Sequence, residues 1–487
     1  MLCQPAPAIN LRMNTMLEND YIKYDAMGLA ELVANGDVSA EELLSCAEQR
    51  CQNKNPALNA VVTPMWEQAL TAIKNGLPAG PFRGVPMPLK DLGQHYQGVV
   101  TSNGSRLFAD NVSDHDSTLV QRYKASGLVL SGKTNTPEFG LATTTEPVLH
   151  GPTRNPWSLE HSTGGSSGGA AAAVAAGMFP VAHASDGGGS IRIPASCCGL
   201  FGLKPTRGRV PLGPTAVEGW GGLSTTHVVS RSVRDSAALL DISAGPEAGS
   251  PYHAPHTAES FSSAALRPPK PLRIALCLKT FNGAQVTEEI RALTEQSAHT
   301  LESLGHHIEP IQHSFTPEIV RDAHGTLAIS HIGAMLNGKQ DALGRPLTER
   351  DIEHVTWTNF QSAQNVTGAQ YAAAVSSIQR HGQMCASLFE CYDLILTPTM
   401  ACLPPAIGAL NTMSEDAESY LNLLYQMIGF TALFNDTGNP AASLPLSISA
   451  GGLPVGCQLI ADFGAEALLL SISQQISDAG FFTKFLS

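Results

Sequence analysis

Thr163-Gly164-Gly165-Ser166-Ser167-Gly168-Gly169 and, with Ser190 placed 24 residues after Ser166, Asp186-Gly187-Gly188-Gly189-Ser190-Ile191-Arg192 are the stretches that decide how this chain reads. Three consecutive glycines before a serine leave the backbone N–H groups of residues 187–190 sterically open, and such a run can curl into an anion-binding nest. An oxyanion hole needs the same thing, donors fixed where negative charge develops. The competing reading is a flexible glycine turn, because glycine clusters are ordinary loop signals. Gly165 to Gly169 also fits GxSxG, but a nucleophile elbow needs a strand leading into it, and Glu160-His161-Ser162-Thr163-Gly164 is not strand-like. Gly127 to Thr134 satisfies the phosphate-loop pattern GxxxxGK[ST] in the wrong context. The apolar run lies between the two glycines, and Asn135-Thr136-Pro137 resists the helix that should follow.

Upstream, Gly84-Val85-Pro86-Met87-Pro88-Leu89-Lys90-Asp91 ends a strand-like run on a lysine. That is usually the polar end of a strand. Buried among hydroxyls, however, a lysine loses basicity and offers a neutral amine as base. A serine alone is a weak nucleophile and needs such a partner.

Around these stretches the chain alternates helices and strands. Helical spacing covers residues 27–53, broken at Gly36-Asp37, with a capping-box start at Ser39 to Glu42. Ala60 to Thr63, Leu128 to Leu130, Phe179 to Ala182, Ile274 to Leu278, His307 to Ile311, Tyr392 to Leu396 and Val455 to Ala461 read as strands. Ala170 to Ala176, a helix N-capped by Thr287 and running to Leu304, and Glu466 to Ile476 read as helices, and Asp241 to Pro271 as a surface connection. The alternation implies α/β architecture.

Composition narrows the class. Of 487 residues, 43% are hydrophobic and 15% charged, and 29 Lys+Arg against 42 Asp+Glu leave a net charge of −13. That excludes a disordered chain and offers no basic patch for nucleic acid or an anionic membrane. Length alone suggests two to four domains at about 100–200 residues each, but few charges on a long chain suit one large body. Met1 to Asp20 lacks a basic n-region and an apolar h-region, so it does not read as a secretory signal. Residues 1–24 are expected to be an extension, disordered over its first dozen residues, with Met13 and Met16 as alternative starts. Ten scattered cysteines without a CxxC pair point to reduced thiols and a cytoplasmic protein. His306, His307 and His313 read as surface or edge histidines rather than a metal site, and His183 as a packing residue. Trp157, Trp220, Trp357 and Phe360 read as core rather than pocket wall.

Lys90, Ser166 and Ser190, with their flanking segments, resemble the amidase signature family. The likeness continues through Gly132 to Phe139, Gly202 to Thr206, Asn439 to Ala441 and Gly452 to Leu459, in order and over nearly the whole chain beyond about residue 25. Thr144-Thr145-Glu146-Pro147, Thr153 to Trp157 and Gly344 to Glu349 most resemble the family's aminohexanoate cyclic-dimer hydrolase branch. One position departs: Gly187 stands where the family often has Thr or Ile, which suggests a more flexible or roomier hole.

The resemblance implies a single large α/β/α domain over residues 25–487, with a mixed, twisted central sheet covered by helices on both faces. It implies hydrolysis of a small-molecule carboxylic amide through a serine acyl-enzyme, without metal or organic cofactor. Ser190 would be the nucleophile, Ser166 on a cis peptide the bridge, and neutral Lys90 the base. The N–H groups of Gly187, Gly188, Gly189 and Ser190 would hold the oxyanion. Ser167 would hydrogen-bond and orient Lys90, while Asp186 and Arg192 would be either a support pair around the turn or a plain surface pair. Substrate pockets would come from the variable region 310–440. A homodimer is compatible with this reading. Two other readings stay open at this point: a glutaminase subunit of a tRNA-dependent amidotransferase, and a catalytically silent scaffold.

Overall fold

Period-2 alternation with both faces apolar dictates the centre of the molecule. Ile274 and Leu276, Leu394 and Leu396, and Leu459 and Ala461 point into one core; the residues between them, Ala275, Ile395 and Ile460, point into another. A strand buried on both faces reads as a continuous apolar run, as these do in the sequence.

A computed structural model describes residue 16, residues 18–482 and residue 485. Strands β1 (Val61–Pro64), β2 (Pro86–Lys90) and β3 (Val129–Thr134) form a small sheet in the order β1-β3-β2, with β2 and β3 parallel. A ribbon pairs β4 (Arg154–Asn155) with β5 (Ser158–Ser162). The central sheet takes β6 (Val181–Asp186), β7 (Phe201–Lys204), β8 (Thr225–Ser230), β9 (Arg273–Leu276), β10 (His307–Pro310), β11 (Leu394–Pro398), β12 (Ala441–Ile448) and β13 (Pro454–Ala461). Its order is β10-β9-β11-β13-β12-β7-β8-β6. β10-β9-β11 are parallel and the rest antiparallel, so the sheet is mixed.

Helices cover both faces. Helices Ala26–Asn35, Ala40–Leu58, Val233–Ser243 and Glu466–Asp478 contribute to the larger core; Gly168–Ala175, Arg192–Cys198 and Ala417–Ile428 contribute to another. Ser39 and Glu42 make the expected capping box, and Gly36 ends the preceding helix at φ 77°. Thr287 sits at the predicted N-cap but its side chain makes no capping bond.

Four expectations need correction. The folded body begins before residue 25: Tyr21 is buried, and Arg231 donates to the carbonyls of Ile22 and Tyr24. The first dozen residues lie outside those described. The 241–271 connection contains the helix Phe261–Ala265, whose first N–H groups donate to the Asp241 carboxylate. His306 and His313 are buried, each with a hydrogen-bond partner, so only His307 is exposed. The residues before Gly164 do form a strand, β5, but in the peripheral ribbon rather than the central sheet. Gly132-Lys133-Thr134, in turn, lie inside β3. There the buried Lys133 Nζ donates to the Gln94 carbonyl (2.7 Å) and Thr101 Oγ1 (3.0 Å), which leaves no phosphate cradle.

Candidate active site

Three elements bring the site together. Lys90 is the last residue of β2, Ser166 lies in the loop before the helix Gly168–Ala175, and Ser190 lies in the turn between β6 and the helix Arg192–Cys198. β2 runs beside β6, the edge of the central sheet: the Lys90 N–H donates to His183 Nδ1 at 3.2 Å. His183 is held neutral by burial. With Nδ1 accepting, its proton sits on Nε2, 2.5 Å from Thr226 Oγ1. It is a structural link between the two sheets, as its reading as a packing residue anticipated.

Lys90 is fully buried. Its Nζ reaches Ser166 Oγ at 2.7 Å and Ser185 Oγ at 3.0 Å. Burial lowers its pKa to about 7, against the opposing pull of the Asp186 charge. The amine is therefore substantially neutral near neutral pH. The Gly165–Ser166 peptide is cis. Ser167 does not bond Lys90. Its hydroxyl donates to the Ser185 carbonyl (3.1 Å) and accepts the Ser185 N–H (3.3 Å), so it acts on Lys90 through Ser185. Sequence reasoning missed Ser185. Its signal was there: it stands two residues after His183 on one strand, and residues i and i+2 share a face. Thr145 completes the support, donating to the Gly164 carbonyl and accepting the Gly168 N–H.

The glycine turn is shaped by a buried carboxylate. Asp186 accepts from the N–H groups of Gly189 (2.8 Å) and Ile191 (3.0 Å) and forms a two-pronged ion pair with Arg192 (2.8 and 3.0 Å). Both side chains are fully buried, so this is a support pair and not a surface pair. Burial would raise the Asp186 pKa, but the Arg192 charge and hydrogen bonds hold it well below the usual carboxylate range. Arg192 also donates to the Thr431 carbonyl, Gln458 Oε1 and Asn435 Oδ1. These three residues come from sequence more than 200 positions away, with no local signal to announce them.

This network changes the proposed set of oxyanion donors. The Gly189 N–H is committed to Asp186, so it leaves the set. The N–H groups of Gly187, Gly188 and Ser190 have no acceptor among the described residues. Each glycine is also covered from above. A Cβ on Gly187 would meet the Trp220 ring at 3.0 Å, one on Gly188 would meet His324 Nε2 at 3.3 Å, and one on Gly189 would meet Thr431 Oγ1 at 2.5 Å. Gly189 in addition takes φ 138°, which side chains rarely adopt. Thr431 Oγ1 donates to the Gly188 carbonyl at 2.6 Å. The turn is thus neither roomier nor looser for having Gly187: Trp220 fills the space. Trp220 is accordingly a pocket wall, contrary to its reading as core, while Phe360 and Trp357 pack in the apolar cluster beside it.

Two cavities meet at Ser190. One of about 160 Å³ is lined by Ser166, Ser185, Gly187 and Ser190; a larger cleft of about 760 Å³ is lined by Gly188, Ser190 and residues of the 319–329, 370–377 and 421–432 segments. Gly140 and Trp220 border both. His324 reaches the cleft with its Nδ1 held 2.8 Å from the buried Asp436 Oδ1. Among the described residues no cluster of His, Cys, Asp and Glu could hold a metal ion, and no helix is long and apolar enough to cross a membrane. Cys46, Cys51, Cys197, Cys198, Cys277, Cys385, Cys391 and Cys402 are free thiols.

Comparison with known proteins identifies the family. Residues 42–470 match the family model for Amidase. The 6-aminohexanoate-cyclic-dimer hydrolase of Paenarthrobacter ureafaciens is 39% identical over 471 residues, covering 93% of this chain and 94% of that protein. A solved structure of 6-aminohexanoate cyclic dimer hydrolase superposes with TM-score 0.89 at 37% identity, covering 96% of this chain and 99% of that one. A bacterial aryl acylamidase of the amidase signature family superposes with TM-score 0.86 at 28% identity over 95% and 97% of the two chains. The chain belongs to the amidase signature family and is an amidase, a hydrolase of amide carbon–nitrogen bonds.

Proposed function

We propose that this chain hydrolyses small carboxylic amides, linear or cyclic, through an acyl-enzyme on Ser190, with Ser166 as bridge and Lys90 as base. The observation that carries this reading is the 2.7 Å contact between the Lys90 amine and Ser166 Oγ, in a cavity that Ser190 also enters. A hydroxyl both gives and accepts a proton. Neutral Lys90 takes the Ser166 proton as Ser166 takes that of Ser190, and Ser190 Oγ adds to the amide carbonyl. The tetrahedral oxyanion lies against the N–H groups of Gly187, Gly188 and Ser190.

Amides resist hydrolysis because an amine leaves badly, so the return of that proton through Ser166 to the departing nitrogen matters as much as the attack. Water then adds to the acyl ester by the same relay, and the acid is released. The cleft of about 760 Å³ is the size of a small-molecule site, and the related cyclic-dimer hydrolase has been solved with its substrate.

The test is hydrolysis of a panel of primary, aryl, peptide-like and lactam amides, with Ser190→Ala, Ser166→Ala and Lys90→Ala measured beside the parent and all four treated with a fluorophosphonate probe. Loss of turnover in all three variants, with probe labelling confined to proteins that keep Ser190, is expected. Substantial amidase activity in Ser190→Ala would overturn the mechanism.

A further inference from the structure

The small catalytic cavity holds one charged side chain that the relay does not use. Glu218 lines it together with Ser166, Ser185 and Ser190 and is half-buried. Among the described residues it forms no ion pair and no hydrogen bond. The guanidinium that its charge reaches, Arg207, is committed to the carbonyls of Gly222, Asn435 and Asp436. The Glu218 carboxylate thus stands half-buried in the wall of the cavity with no direct cation partner among the described residues.

Two aromatic side chains line the same cavity, Trp220 and Phe139. Trp220 takes a left-handed backbone conformation (φ 52°), and Gly221 (φ 65°) and Gly222 (φ 87°) follow it. Glu218 and Trp220 both line this cavity. A carboxylate beside an indole is what recognises an ammonium group: the first supplies a charged acceptor, the second a negative ring face.

We propose that this pocket binds a primary ammonium group carried on one arm of the amide substrate, with Glu218 as its carboxylate partner and Trp220 as its aromatic wall. The proposal rests on the amidase reading above and names a substrate class for it. Ser190 stands where the small cavity meets the cleft, so the ammonium arm fills the small cavity. The other arm lies in the cleft against Leu141, Ile319, Val320, Ala328, Leu424 and Ile428. The net charge of −13 favours the approach of cations. A lactam acquires such a group as it opens. Its released amine stays tethered, takes a proton from solvent, and in that form has no lone pair with which to close the ring again.

Two measurements test this. The first compares kcat/KM for matched anilides, an ω-aminoacyl anilide against the acyl anilide of equal chain length, and for matched amides of a diamine and a monoamine. In at least one pair the ammonium member should be preferred by roughly tenfold or more, and Glu218→Gln should reduce that ratio to within about twofold. The second needs no turnover: hexylammonium, but not hexanol, should quench tryptophan fluorescence saturably, and Glu218→Gln should abolish the effect. No preference in either pair, an equal loss on both members in Glu218→Gln, or hexylammonium binding that survives it would overturn the proposal. Saturable hexylammonium binding in a protein that cleaves no amide would instead sink the amidase reading and leave the pocket assignment intact.

Discussion

Replacing Lys90 with methionine should make the protein more stable at pH 7 and less stable at pH 10. Burial lowers the Lys90 pKa from 10.5 to about 7. The folded value lies below the unfolded one, so between the two the unfolded chain binds more protons, and stability rises with pH across that window. At about 1.4 kcal/mol for each pH unit, keeping this amine in the core costs about 4 kcal/mol at pH 7 and under about 1 kcal/mol at pH 10. Methionine removes that cost, fills a similar volume, and gives up the hydrogen bonds to Ser166 and Ser185, at about 1 kcal/mol each. The net change is a gain of about 2 kcal/mol at pH 7 and a loss of about 1 kcal/mol at pH 10. Urea unfolding of parent and variant at the two pH values measures it, since other titrating groups cancel in the difference. The same variant should lose about a hundred- to ten-thousand-fold in kcat. A variant that is less stable at pH 7, or whose stability difference does not change sign by pH 10, would refute the reasoning that the fold carries this amine against its own stability.

Because neutral Lys90 is the base, kcat/KM should fall as pH drops through about 7 and level off above it, with one proton involved; a profile flat from pH 5 to 9 would count against Lys90. Thr431→Val removes the 2.6 Å bond to the Gly188 carbonyl and should lower kcat about tenfold with KM little changed, because the donors lose alignment and not substrate contact; an unchanged kcat would show that the turn holds itself. Asp186→Asn leaves Arg192 buried without its charge partner and should destabilise by about 3–5 kcal/mol in urea. The Asp186 contribution is fully present above the usual carboxylate range and is lost as pH falls below it, so the deficit of the variant should shrink in acid.

Much of the site was legible because its parts are local. Gly187 to Ser190, Gly164 to Gly169 and the lysine that closes an apolar run each admit an ordinary loop or strand-end reading taken singly, and the family resemblance of the ordered set is what assigns them to one site. The α/β class followed from alternating apolar runs and helical spacing, while the mixed sheet was an implication of the family resemblance. The errors were of a different kind. Ser167 reads as the partner of Lys90 because it adjoins Ser166 in the chain, whereas Ser185 comes to the amine only through the pairing of β6 beside β2. Gly187 was read as added room, because nothing near it in sequence says that a tryptophan 33 residues later fills the gap. Gly189 was counted as an oxyanion donor, although Asp186, three residues earlier, takes its N–H.

By itself the sequence determined which groups are chemically able to act and which segments are buried, since apolar periodicity, glycine and hydroxyl spacing are properties of short stretches. Only the tertiary structure decided what surrounds them. The Lys90 pKa depends on desolvation by elements far along the chain, the usable oxyanion donors depend on where Asp186 points, and the partition between the two cavities depends on Trp220. Dielectric surroundings and hydrogen-bond satisfaction belong to a place in space, and one position in the chain does not contain them.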